Sequence, residues 1–252
     1  MWQLCDLPRM CGHLRGPLRL GSVCSGMMTE KWSCARLPWT FSHVFWCEKD
    51  PAARAFIEAN APPGAVGFLD VMSNEFLVNA PPCDILVGGF PCQPFSGMGK
   101  GLGTDDHRGI VVIGILRYVK KNNPTVVVLE NVMGLATRHK LTLDNVVLSL
   151  RSLGYIVSWD ILDTSVHGAV PQRRKRVYIV GIRWRQPATG GTATLAATGA
   201  SATDAQIRAG TMEWPQPIAC PNLDTIFDDA PKEMDYDEYP IPNFCRTKKQ
   251  NL

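Results

Sequence analysis

Apolar residues fall along this chain in short β-branched runs separated by longer mixed stretches. Seven runs read as strands: residues 18–23, 43–48, 66–69, 84–88, 125–130, 156–162 and 177–183. The fourth and fifth are nearly continuous in Ile, Leu and Val, as expected of parallel strands covered on both faces. Between the strands, residues 51–60, 110–121 and 143–153 carry helical spacing. In the last of these Leu143, Val146, Val147, Leu150 and Leu153 form one stripe at steps of three and four.

Strand, helix and strand in repeated alternation predict an α/β fold with a doubly wound, mostly parallel sheet. Ligands of such sheets bind beyond the carboxyl ends of the strands. The residues at those ends are Cys24-Ser-Gly, Glu48, Asp70, Gly88-Gly-Phe-Pro-Cys and Glu130-Asn. They are acidic, glycine-containing or reactive, which suits a site better than a core.

Composition narrows this little. Hydrophobic content of 45% and charged content of 19% are ordinary for a globular protein, and a net charge of +3 announces no polyanion partner. Nine cysteines occur without a C-x-x-C pair, and the five histidines are scattered, so neither a zinc site nor any other metal is expected. The first residues lack a secretory pattern and no run is long enough to span a bilayer. Reduced thiols in an intracellular protein are expected, in the nucleus of a eukaryote or otherwise in the cytoplasm. The chain divides into an extension (1–17), a main α/β domain (18–185), an Ala/Thr/Gly-rich flexible loop (186–211) and a C-terminal segment (212–252).

The strongest chemical signal runs from Gly88 to Gly97, through Phe90-Pro-Cys-Gln-Pro-Phe-Ser. Prolines fix the backbone on both sides of Cys92-Gln93, and glycines follow. A rigidly held cysteine beside a hinged loop suits a nucleophile. An arbitrary cysteine is more often a buried thiol, and here the flanking residues decide otherwise.

This stretch resembles the nucleophile motif of the cytosine-C5 DNA methyltransferase family. Glu130-Asn-Val resembles the family's second catalytic motif, and Gln172-Arg-Arg-Lys-Arg176 its Gln-x-Arg-x-Arg motif, in family order and at family-like spacing. The resemblance runs from Leu18 to Trp184. It implies a Rossmann-like methyltransferase sheet and DNA (cytosine-5) methylation from S-adenosylmethionine, with a cytosine flipped out of the duplex. It makes Cys92 the nucleophile at C6, gives Glu130 the N3 and amino edge of the base, lets Arg174 support Glu130, and directs Arg176 to the carbonyl oxygen or a phosphate. Phe90, Pro91, Gln93, Ser96, Asn131 and Gln172 are the implied substrate contacts. On a strand of period two, Gln172, Arg174 and Arg176 share one face.

The cofactor half follows from Val23-Cys-Ser-Gly-Met-Met-Thr-Glu, which resembles the family's first motif. The implied cofactor contacts are Ser25, Gly26, Met27, Glu48, Lys49, Asp70, Val71, Gly89 and Val111. Cys24 stands where the family has an aromatic residue, and Met28 where it has a second glycine. The partners implied are a cytosine-containing DNA duplex, no membrane, and a second chain if the recognition domain and closing motifs come from elsewhere. A split enzyme, a truncated chain and an inactive copy all fit the missing motifs. An RNA cytosine methyltransferase and a non-catalytic nucleic-acid-binding remnant are the alternatives in function.

Overall fold

The computed structural model describes residues 16–91, 111–168, 172–183 and 214–218. Seven strands are formed: β1 (Leu18–Val23), β2 (Phe41–Cys47), β3 (Val66–Phe68), β4 (Ile85–Gly89), β5 (Val126–Val132), β6 (Tyr155–Asp163) and β7 (Lys175–Arg183). They make one sheet in the order β3-β2-β1-β4-β5-β7-β6. The pairs from β3 to β5 are parallel, and β7 lies antiparallel between β5 and β6. The sheet is doubly wound and mostly parallel, as the sequence pattern predicts.

The three longer helices are α2 (Pro51–Asn60), α4 (Val111–Asn122) and α6 (Lys140–Ser152). Each coincides with a periodic stretch. The α2 start is written in the sequence, since Asp50 accepts the Ala53 N–H at 2.8 Å and Pro51 occupies the first turn. Four short helices carry no readable stripe: α1 (Thr29–Cys34), α3 (Asn74–Asn79), α5 (Gly134–Thr137) and α7 (Thr164–His167). At four to six residues they are too short for a period to show.

The main core lies on the face where α4 and α6 pack, with Val23, Leu86, Val127, Leu129, Val177 and Ile179 inside. Phe45, Phe68, Phe76 and Tyr118 meet there with ring centroids 5.2 to 6.3 Å apart. Each such pair adds about 0.5–1.5 kcal/mol beyond its buried area. The Phe45 ring presses on the Cα of Gly21, where a side chain would overlap it, and the β1–β2 register slips between Leu20 and Gly21. A smaller cluster of Leu18, Leu20, Ile85 and Val126 occupies the opposite face, with Trp39 and Phe41 against it.

The antiparallel setting of β7 matters for function. It brings the amino end of β7 to the same edge as the carboxyl end of β5, with Val132 opposite Arg176. Basic residues that precede a strand thereby arrive where parallel strands present their last residues.

Candidate active site

The strand ends of β1, β4 and β5 open on a cavity of about 630 Å³, lined among others by Ser25, Gly26, Gly89, Glu130, Arg174 and Tyr178. That volume suits a ligand of nucleoside size or larger. The cavity lies on the face away from the main core. Alternation along β5 turns Glu130 into it and Asn131 away from it.

After β1 the chain turns sharply, with φ of 51° at Cys24, 51° at Gly26 and 53° at Met28. Gly26 takes this left-handed conformation without strain, and Cys24 and Met28 hold it at a cost of about 1–3 kcal/mol each. A Cβ on Gly26 would meet nothing within 4 Å, so open space lies against its backbone. Ser25 is buried; its hydroxyl pairs with that of Ser22 at 2.6 Å and meets the backbone of Cys47. Met27 is exposed beside the turn.

Glu48 lies one residue beyond β2, which begins two residues and ends one residue before the strand expected over 43–48. Its carboxylate folds back on the chain. It accepts N–H groups from Gly26, Lys49 and Asp50, each at 2.8 Å. A carboxylate offers about four acceptor positions, so one remains for a hydroxyl. Asp70 accepts the Met72 N–H at 2.9 Å and pairs with Lys49 Nζ at 3.1 Å. Val71 is buried, and Val111 begins α4 at the edge of the main core. Glu48, Asp70, Val71 and Val111 stand outside the cavity lining, next to it through Cys24. Burial pushes the Cys24 thiol up to about 12, helped by the nearby charges of Glu48 and Asp70, so it stays protonated.

On the other flank Arg176 Nε lies 2.9 Å from Glu130 Oε1, with both side chains largely shielded. This ion pair belongs to Arg176, where the family resemblance implies that Arg174 supports Glu130. The expected common face of Gln172, Arg174 and Arg176 is also corrected, because β7 begins only at Lys175. Arg174 donates its backbone N–H to Asp163 at 3.1 Å, and its carbonyl accepts from Thr164. Gln172 is exposed, and its carbonyl accepts the Thr164 hydroxyl. These bonds take residues 172–174 out of the sheet ladder. The Arg174 side chain still reaches the cavity.

Two more residues escaped the sequence reading. Asp163 caps α7 through Ser165 and holds Arg174, and the bonds from Ser165 keep its carboxyl below the usual range. Its only sequence signal is an Asp-Thr-Ser cap pattern at the end of β6. Glu30 of α1 lines the cavity; burial raises its carboxyl, and its Oε1 has no hydrogen-bond partner among the described residues.

Phe90 and Pro91 follow β4 directly. Phe90 is 5% exposed with its ring in the main core, so only its backbone is left for a ligand. Asn131, expected among the substrate contacts, is 2% exposed and bonds the Phe90 carbonyl at 2.9 Å. Cys92, Gln93 and Ser96 lie outside the described residues, as does the loop expected over 186–211.

The residues present fit S-adenosylmethionine. Open space against the Gly26 backbone, a spare acceptor on Glu48 and the acidic Asp70 beside it are what an amino acid and nucleoside conjugate requires. Among the described residues no helix is long and apolar enough to cross a membrane.

A family model described as C-5 cytosine-specific DNA methylase matches residues 21–247, well past the Trp184 limit of the sequence resemblance. The type II methyltransferase M.NgoBI of Neisseria gonorrhoeae is 39% identical over 167 residues, covering 66% of this chain and 47% of that protein. M.BanI of Aneurinibacillus aneurinilyticus is 44% identical over 112 residues, covering 44% and 26%. The chain spans about half, or less, of the length of these curated relatives. The solved structure of the S. pombe Dnmt2 methyltransferase overlays at a TM-score of 0.58 with 18% identity, covering 92% of this chain and 65% of that one. At that identity the likeness speaks for the fold.

Proposed function

We propose, from the premise that this chain belongs to the C-5 cytosine-specific DNA methylase family, that it carries the catalytic and cofactor-binding half of a DNA (cytosine-5) methyltransferase. The observation that carries this reading is the convergence at one sheet edge of the Glu130–Arg176 pair, the Phe90–Pro91 lead into Cys92, and the Gly26–Glu48 turn.

The chemistry follows from those groups. Cytosine C5 is a poor nucleophile until a thiolate adds to C6. The Cys92 sulfur forms that bond, and the C5–C6 π pair becomes available at C5. Glu130 holds the N3 and amino edge, and Arg176 keeps its carboxylate in place while lying close to the base carbonyl. Ser25, Gly26, Met27, Glu48, Lys49, Asp70, Val71, Gly89 and Val111 would hold S-adenosylmethionine, which when bound would supply an electrophilic methyl group to C5 and leave as the neutral thioether. With the methyl group on C5, loss of the C5 proton to a water molecule acting as base restores the C5–C6 double bond and expels the Cys92 thiolate. Gln93, Ser96 and Gln172 complete the proposed base and backbone contacts. Arg174 and Arg176 are the candidate phosphate contacts that would favour a flipped base.

The proposed partner is a cytosine-containing DNA duplex. An intracellular setting, nuclear or cytoplasmic, accords with the free thiols of Cys24, Cys34, Cys47 and Cys83.

Covalent trapping tests the reading. The chain and its Cys92→Ala variant are mixed with 5-fluorocytosine DNA and S-adenosylmethionine, because fluorine at C5 blocks the final elimination. A denaturant-stable adduct that disappears in Cys92→Ala is the expected result. An adduct on RNA alone moves the substrate to RNA, and none on either leaves a binding remnant.

A further inference from the structure

We infer that Asn131 is a positioning residue whose buried carboxamide fixes the Phe90 carbonyl and, through Phe90–Pro91, the point from which the chain enters Cys92. The inference rests on the reading of Cys92 as nucleophile.

The β4–β5 ladder makes its last pair at Gly89 and Glu130. One step further the strands no longer exchange backbone bonds, and the Asn131 side chain takes over. Its Nδ2 donates to the Phe90 carbonyl at 2.9 Å, and its Oδ1 accepts the Val132 N–H at 2.8 Å. Both ends of the carboxamide are therefore committed to backbone. At 2% exposure Asn131 is turned into the main core and cannot also face a base in the cavity.

Phe90 is held at two points. Its ring sits in the core, and its carbonyl is tied to β5. Pro91 then fixes its own φ, so little freedom remains before residue 92. The sequence neighbours Glu130 and Asn131 divide the work by alternation. Glu130 points into the cavity, and Asn131 reaches behind it to the lead of the nucleophile. A one-residue slip of β4 against β5 would misplace both reacting groups, and this bond adds to the five-pair ladder in opposing it.

Asn131→Asp is the informative substitution, because it keeps the shape and the acceptor for Val132 but removes the donor toward Phe90. Asn131→Ala removes both bonds. Alkylation by iodoacetamide across a pH series, read by mass spectrometry on each cysteine peptide of the full chain, gives a signal that needs no catalysis. We expect the Cys92 rate and its pH profile to change in both variants, about tenfold for Asn131→Asp, by loss of a fixed geometry. The buried thiols of Cys47 and Cys83 should stay as protected as in the parent. Affinity for S-adenosylhomocysteine should stay unchanged, and trapping on 5-fluorocytosine DNA should slow by on the order of 100-fold.

An unchanged Cys92 profile in both variants overturns the inference. So does loss of protection at Cys47 and Cys83 in both, which makes Asn131 a fold residue only. If the parent forms no adduct while the variants still shift Cys92 alkylation, the catalytic reading fails and the positioning role stands.

Discussion

Arg176 sits opposite Val132 on the neighbouring antiparallel strand, and its Nε reaches diagonally across two rungs to the Glu130 carboxylate at 2.9 Å. The two residues come from segments far apart in sequence and share one face only because β7 runs against β5. In a partly shielded site such a pair does more than an exposed one, since water competes less for each charge.

The first prediction concerns this pair. Arg176→Ala leaves Glu130 without its ion-pair partner, and adduct formation should slow by on the order of 100-fold or more. Arg176→Lys keeps the charge but loses the planar guanidinium, and should recover only part of the rate. In a double-mutant cycle with Glu130→Gln the losses should be clearly less than additive. Additive losses in single-turnover trapping would mean that the two residues act separately.

Gly114 of α4 lies against the loop that carries Asp70 and Val71. A Cβ there would come 2.7 Å from the Val71 carbonyl oxygen and 2.8 Å from Met72 Sδ. Gly114→Ala should therefore destabilise the fold by about 1–3 kcal/mol, despite the better helix propensity of alanine. Because the displaced backbone carries Asp70, affinity for S-adenosylhomocysteine should fall too. Thermal melting and calorimetry check the two effects, and a stabilised variant would contradict the packing.

Buried His43 has no well-formed hydrogen bond at either ring nitrogen among the described residues, and burial depresses its imidazole to about 4, with a looser approach to the Phe45 backbone opposing the shift and Lys31 adding to it. The neutral ring is stable in the fold above pH 6.5 and must gain a proton as pH falls toward 4. His43→Leu should widen its stability advantage over the parent through that window and level off below it, at up to about 3 kcal/mol. Denaturant melts at a series of pH values would show the curve. A constant gap would rule it out.

Glu30 has the opposite sign. Burial raises its carboxyl, so the folded state favours the protonated form, and its contribution is lost as pH rises through the folded value. Glu30→Gln should raise the melting temperature at neutral pH and lose that advantage on acidification. An advantage that grows in acid would refute the assignment.

Much of this was legible beforehand because parallel strands in a covered sheet must be continuously apolar, and their ends must then carry whatever chemistry exists. That logic put Glu48, Asp70 and Glu130 near the carboxyl ends of strands, where the structure has them. The short helices were not legible, since one turn displays no period. Nor was the partner of Glu130, because choosing between Arg174 and Arg176 requires the start of β7. Asp163 decides that start, and it acts from the previous strand. Asn131 could be identified as part of a motif, but its direction depended on the alternation of β5.

The antiparallel strand also fixes where the chain goes next. Running away from the site, β7 delivers Arg183 to the far rim of the sheet, where its N–H meets the Thr125 carbonyl. The path has nonetheless come back by Ile218. Trp214 bonds Ser158 midway along β6, and the Ile218 N–H meets the Val166 carbonyl just past the end of that strand. For protein engineering this gives the molecule two exits of opposite address. A cargo spliced in directly behind Arg183 joins at the edge where β5 begins, whereas one joined behind Ile218 joins beside Val166, just past the end of β6.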